Sequence, residues 1–85
     1  MNRDTMTNAS PARVAKATMS LLDRLQRFQP GDQVLAAAAV FLTLAEHWGI
    51  PAQDAFTIIK NLMIANEGKR HEFRALDAYI KNELR

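Results

Sequence analysis

Residues 34–45 read VLAAAAVFLTLA, a helix-length run in which one threonine is the single polar side chain. A surface helix of a small domain normally keeps one polar face, whereas a helix that is apolar on all sides is normally buried. Only 85 residues are available to cover this one, and a domain of that size buries roughly 60–65% of its unfolded surface. The run therefore predicts a helix at the centre of an assembly.

Composition limits the class of protein. The apolar fraction of 48% is that of one globular domain, and the absence of cysteine excludes a disulfide framework. The net charge of +2 is too small to indicate nucleic acid by itself. The apolar run is shorter than the roughly 20 residues of a membrane span, and residues 1–10 do not resemble a signal peptide. We therefore expect a soluble, cytoplasmic protein that does not enter a membrane.

Helix-capping and helix-breaking residues divide the chain into four predicted helices. Ser10 and Pro11 are typical of a helix start, Pro30 prevents one helix from continuing, and Gly49 is suited to a helix C-terminus. Gly68 is either a break or a kink within one longer helix, and we favour the break. The predicted helices span about residues 11–28, about residues 33–48, the stretch from residue 51 to the interruption at residues 66–68, and about residues 69–84. We expect an all-α, compact four-helix domain over residues 11–85 behind a flexible tail, residues 1–10.

Apolar residues at spacings of three and four predict the buried side of each helix. In the first helix these are Val14, Leu21, Leu22, Leu25 and Phe28. In the third they are Ala55, Phe56, Ile59, Leu62 and Met63, and in the fourth they are Phe73, Leu76, Ile80 and Leu84.

The second helix is expected to have two roles. One side, predicted to meet the neighbouring helices, carries Val34, Ala38, Phe41, Ala45 and Trp48. The other carries smaller side chains that let a second helix approach closely: Ala36, Ala39, Val40 and Thr43. Because one small core seldom supplies more than about 3–5 kcal/mol of stability, we predict a homodimer that pairs through this second side.

Cations line the outer sides of the first and fourth predicted helices. At about 100° per residue, each set of four falls on one side of its helix. The two sets are Arg13, Lys16, Arg24 and Arg27, and Arg70, Arg74, Lys81 and Arg85. Such ridges are suited to phosphates or to an acidic protein surface, although any amphipathic helix turns its charges toward water. All three interpretations stay open.

Residues 44–58 resemble the helix-turn-helix family of DNA-binding domains. The resemblance depends on small Ala45, on Gly49 four residues later, and on Ile50 and Ile58. It implies that the helix starting near Pro51 enters the major groove of DNA. The positions that would face the bases are Gln53, Asp54, Thr57, Lys60 and Asn61, with a single cation among them.

No constellation of residues indicates catalysis, a cofactor or a metal. The three glycines are isolated, so no phosphate-binding loop is present, and neither histidine has the partners of a closed metal site. We therefore predict a non-catalytic regulator or adaptor that binds itself and a protein partner. The alternative is a dimeric, helix-turn-helix-like DNA-binding regulator.

Overall fold

The structure, a computed structural model, describes residues 3–83. This part of the chain forms, in order, the helices and strands α1 (Arg3–Thr7), α2 (Pro11–Leu25), α3 (Pro30–His47), α4 (Ala52–Met63), β1 (Ile64–Ala65), β2 (Gly68–Lys69) and α5 (His71–Glu83). The expectation of a compact, mostly helical fold is confirmed, but residues 3–83 form five helices and a two-stranded hairpin where four helices were predicted. The predicted end of the last helix near Leu84 lies outside the described residues.

The first long helix begins as predicted but ends early. The Ser10 hydroxyl accepts a hydrogen bond from the Arg13 backbone N–H at 3.3 Å, and Pro11 occupies the first turn. The helix ends at Leu25 and not near Phe28. Proline disfavours a helical conformation in the residue before it, and Gln29, which precedes Pro30, is extended with ψ of 148°. The chain therefore leaves the helix before this position.

Gly49 ends α3 in the manner that its position predicts. Its φ is +69°, its N–H donates to the Glu46 carbonyl at 3.2 Å, and the next N–H, that of Ile50, donates to the Ala45 carbonyl at 2.9 Å. This pair of hydrogen bonds is the Schellman motif. Ile50 and Ala45 are both buried, so the motif fixes the direction in which the chain leaves α3.

Two glycine-to-alanine changes are expected to have opposite effects on stability. Gly49→Ala places a side chain in the left-handed region and should lower the free energy of unfolding by about 1–2 kcal/mol. Gly31→Ala meets open space in the first turn of α3 and should raise it by about 0.4–1 kcal/mol, because alanine restricts the unfolded chain. Urea unfolding followed by circular dichroism measures both, and equal effects of the two variants would contradict this account of Gly49.

The break at Gly68 is confirmed and takes the form of a short hairpin. The strands pair antiparallel, with Ile64 opposite Lys69 and Ala65 opposite Gly68. The hairpin was not predicted, because strands of two residues are too short to show an alternating pattern. Arg70 closes its base: the backbone N–H donates to the Met63 carbonyl at 2.8 Å, and Nε donates to the Leu62 carbonyl at 2.7 Å.

The predicted tail, residues 1–10, includes the helix α1. Met1 and Asn2 lie outside the described residues, whereas residues 3–7 form α1, which packs against α4. Its Met6 side chain is half-buried and lines a small apolar cavity together with residues of α3 and α4. The flexibility of residues 1–10 stays a prediction.

The core lies between α2 and α5. Ala15, Phe73 and Leu76 form one buried cluster. The half-buried side chains packed on this cluster are Val14, Met19, Leu22, Leu62 and Met63. Near the other end of α5, the Tyr79 hydroxyl donates to Asp23 at 3.0 Å, so the two helices run in broadly the same direction.

Several residues predicted to be buried are exposed. Leu21 is 57% exposed, Phe28 54%, Phe56 48% and Ile80 38%. The reason is the shape of the molecule, which extends 36 × 31 × 17 Å. A slab this thin is less than two helix diameters of 10–12 Å, so part of each apolar stripe has no helix above it.

The predicted inward side of α3 is wrong for three of its five residues. Ala45 is buried and Phe41 is half-buried, but Val34 is 70% exposed, Trp48 is 51% exposed and Ala38 is exposed as well. The helix packs chiefly against α4, so its first half has little beside it. Most of the apolar run that suggested a buried helix therefore lies in contact with water.

Candidate interaction surfaces

The helix α3 is held at both ends. At its start, the Gln33 side-chain amide donates to the carbonyls of Leu25 and Phe28, both at 2.9 Å. These two bonds tie α3 to the end of α2 and satisfy carbonyls that a helix terminus leaves free. At its end, the Schellman motif at Gly49 sets the corner with α4. Hydrogen bonds at both ends therefore fix the position of α3, while its middle is exposed.

The side of α3 that points away from the rest of the chain is apolar. We call this surface the outer face; it consists of Leu35, Ala36, Ala39, Val40, Leu42 and Thr43, all exposed. Leu35 is 70% exposed, Leu42 53% and Val40 48%. The four residues predicted for pairing, Ala36, Ala39, Val40 and Thr43, are brought together on this face. The two leucines were missed, because in a run that is apolar on every side no periodicity marks one side.

A second apolar surface lies on the other side of α3. A groove of about 400 Å³ runs between α2, α3 and α5. Its lining consists of Leu22, Leu25, Pro30, Gln33, Val34, Ala37 and Ile80. Apolar periodicity had assigned Leu22, Leu25 and Ile80 to a closed core, whereas the structure leaves the space between them open.

The predicted cations do not converge. Arg13, Lys16 and Arg24 are exposed on α2, and Arg74 and Lys81 are exposed on α5. Arg27 is exposed in the turn after α2, and Arg70 is half-buried with its Nε bonded to Leu62. Arg85 lies outside the described residues. Because α2 and α5 pack through their apolar sides, the two sets point away from the shared contact and form separate surfaces.

Two carboxylates lie among these cations. At about 100° per residue, Asp23 projects within about 20° of Lys16, and Asp77 within about 40° of Lys81. Asp77 accepts a hydrogen bond from Lys69 Nζ at 2.7 Å. The helical surfaces are therefore of mixed charge, which weakens their attraction for phosphates and suits a partner that carries both signs.

Asp23 also belongs to a small polar cluster between α2 and α5. Its carboxylate accepts hydrogen bonds from the Tyr79 hydroxyl at 3.0 Å and from Gln26 Nε2 at 3.1 Å, and Gln26 Nε2 also donates to the Tyr79 hydroxyl. Partial burial and the hydrogen bond to Asp23 raise the pKa of the Tyr79 hydroxyl above its usual value. The protonated hydroxyl thus helps to hold the two helices side by side.

The corner between α3 and α4 bends by an angle that helix-turn-helix units also show. The chain bends by 117° between the two helices, and such units join helices at about 90–120° through a short turn. Ala45 and Ile50 are buried, and Ile58 is half-buried. On the outside of α4, Gln53, Thr57, Lys60 and Asn61 are exposed. Asp54 is half-buried near the start of that helix.

Other kinds of site find little support within residues 3–83. The His, Asp and Glu side chains there form no group of three that could hold a metal ion. No single helix among these residues is both long enough and apolar enough to span a membrane. The helices α3 and α4 meet both conditions only when they are taken together, and the chain bends sharply between them. Comparison with family models, with curated proteins and with solved structures finds no match to this chain.

Proposed function

We propose that the chain is a small, cytoplasmic, non-catalytic regulator or adaptor that acts as a homodimer and binds a protein partner. The observation that carries this proposal is the exposure of the outer face of α3. Single exposed apolar side chains are normal on a protein surface, but a continuous apolar patch marks an interaction site. The outer face is such a patch, with Leu35 and Leu42 along one edge, Val40 toward the other and small side chains between them, on a helix whose ends are fixed.

Energetics favours pairing over exposure. Covering a few hundred Å² of apolar surface contributes several kcal/mol at about 25 cal/mol per Å², before the costs of association. That gain is comparable to the net stability of one small core, about 3–5 kcal/mol. A second copy of the chain is the simplest partner that could bury the outer face, since twofold homodimers are the commonest oligomers.

The protein partner is assigned to the charged surfaces of α2 and α5. The exposed cations there alternate with Asp23 and Asp77, so each helix offers both signs of charge. Polar, mixed-charge surfaces are typical of the rim of protein–protein interfaces, where they contribute specificity and rate of association more than affinity. An acidic protein surface with scattered basic residues fits this pattern better than a uniform row of phosphates.

A helix-turn-helix-like DNA-binding regulator is the second candidate. It is favoured by the 117° corner and by the burial of Ala45 and Ile50 on its inner side. Lys60 is the only cation on the exposed side of α4, whereas direct readout commonly uses several Arg, Lys, Asn or Gln side chains. This candidate therefore ranks second.

Two measurements on the full chain test these proposals. Light scattering at tens of micromolar should return about twice the 9.6 kDa mass of one chain, and a mass near 9.6 kDa would remove the homodimer. A fluorescent DNA duplex titrated at low and high salt separates the two functions, because DNA binding weakens steeply with salt. Salt-dependent binding at micromolar protein that is lost in Lys60→Ala would favour the DNA-binding regulator.

A further inference from the structure

The chain exposes more surface than a monomer of its size. Its accessible surface is 6600 Å², whereas a folded monomer of 9.6 kDa is expected to expose about 5,100 Å². The excess is about 1,500 Å² per chain, which lies in the range that each subunit of an obligate homodimer buries, about 1,000–2,500 Å². The excess surface is therefore large enough to form the interface with a second copy of this chain.

The charge of α3 also suits a second copy. From Gln33 to Ala45 the helix carries no ionisable side chain, and its charged groups stand only at its ends, Asp32 at one and Glu46 with His47 at the other. Two such helices can lie against each other without burying a charge, which would cost several kcal/mol for each ion. A partner with a charged helix would lose this advantage.

The small side chains of the outer face are spaced symmetrically, as an antiparallel pair requires. Ala36 and Thr43 are equally far in sequence from the midpoint of the Ala39–Val40 pair, and so are Asp32 and His47. A twofold axis through that midpoint places Ala36 level with Thr43 of the second copy. We infer that two copies pair antiparallel along α3, with this axis between Ala39 and Val40. The inference rests on the proposed homodimer and adds its register.

A parallel pair is disfavoured by the two helix dipoles. Side-chain charge does not decide the direction: a parallel pair sets Asp32 and Glu46 each level with the same residue of the second copy, and an antiparallel pair sets Asp32 level with His47 and one residue from Glu46. The antiparallel pair opposes the helix dipoles, whose like ends would otherwise lie together. Antiparallel pairing therefore relieves the repulsion between the like ends of the two helices.

Engineered disulfides test the register, because the chain has no native cysteine to compete. Single variants Ala36→Cys and Thr43→Cys are oxidised mildly, each alone and as an equal mixture, and the products are identified by intact mass. In an antiparallel pair, a residue at position 36 lies about 10 Å along the axis from its own copy, beyond the roughly 7 Å limit on the Cα separation of a disulfide. We expect the mixed product to exceed either self-linked product at least about tenfold on that basis.

Two further variants complete the experiment. Ala39→Cys should link to itself readily, because it stands next to the axis, and Ala78→Cys on the exposed side of α5 measures chance collisions. If Ala36→Cys and Thr43→Cys link only to themselves, the antiparallel register is wrong while the homodimer stands. If no variant on α3 links faster than Ala78→Cys, both the register and the proposed pairing through α3 are wrong.

Discussion

Replacing Phe73 with alanine is expected to lower the free energy of unfolding by about 3–5 kcal/mol, the cost of removing a buried phenylalanine. Phe73 is 2% exposed and is the largest fully buried side chain among residues 3–83. It joins α5 to Ala15 of α2 in the one buried cluster that links these helices. A chain of 85 residues has a total stability of only about 4–13 kcal/mol, so this one change should remove a large share of it.

Phe56→Ala is the matched control for that change. The substitution is chemically the same, but Phe56 is 48% exposed. Its ring lies 5.4 Å from the Lys60 ammonium, measured from the ring centre. We expect a loss of about 1–1.5 kcal/mol, because about half of this side chain is already exposed to water and full burial of a phenylalanine contributes about 1.5–3 kcal/mol. Urea unfolding followed by circular dichroism at one protein concentration measures both variants. Similar losses would mean that the core does not lie between α2 and α5.

Ala39→Glu is expected to separate the two subunits while leaving each one helical. In the proposed pair, Ala39 lies beside the twofold axis, so the substitution would bring two carboxylates close together in a contact that excludes water. The dissociation constant should rise at least about 100-fold, which corresponds to about 2.8 kcal/mol. In the single subunit the same position is exposed, so the glutamate itself should cost little stability.

Sedimentation or light scattering over a range of concentrations measures the dissociation constant. Ala78→Glu provides the control, because Ala78 is exposed on α5 and the change in charge and helix propensity is the same. We expect the control to pair as the unchanged chain does. If Ala39→Glu loses its helical signal, the outer face belongs to the core of the subunit; if it pairs normally, the subunits meet elsewhere.

Local signals in the sequence were sufficient for much of the fold. Ser10, Pro11 and Gly49 act through the residues next to them, so the start of α2 and the corner after α3 were predictable from the sequence. The start of α3 was predicted near Gln33, whereas the helix begins at Pro30. The early end of α2 was missed, although Pro30 carried the signal through its effect on the preceding residue. The hairpin at residues 64–69 was missed because it is too short for any pattern.

Burial was harder to predict than helix position. Periodicity identifies the side of a helix that is apolar, but it does not say whether another helix lies over every turn of that side. Leu21 and Phe28 follow the stripe of α2 and are exposed all the same. In α3 the difficulty is greater, since an apolar run without a polar side leaves the inward direction open. Side-chain size was the ground for predicting the pairing residues; all four are exposed, and their pairing stays a prediction.

The 17 Å thickness of the subunit has a consequence for its response to temperature. The heat capacity of unfolding grows with the apolar area that becomes hydrated, and a thin slab has already hydrated much of that area while folded. A single copy should thus have a flatter curve of stability against temperature than a thicker domain of equal length. Pairing would restore the curvature. The apolar side chains of the outer face, which are hydrated in a single folded copy, would be buried in the pair and become hydrated only on unfolding.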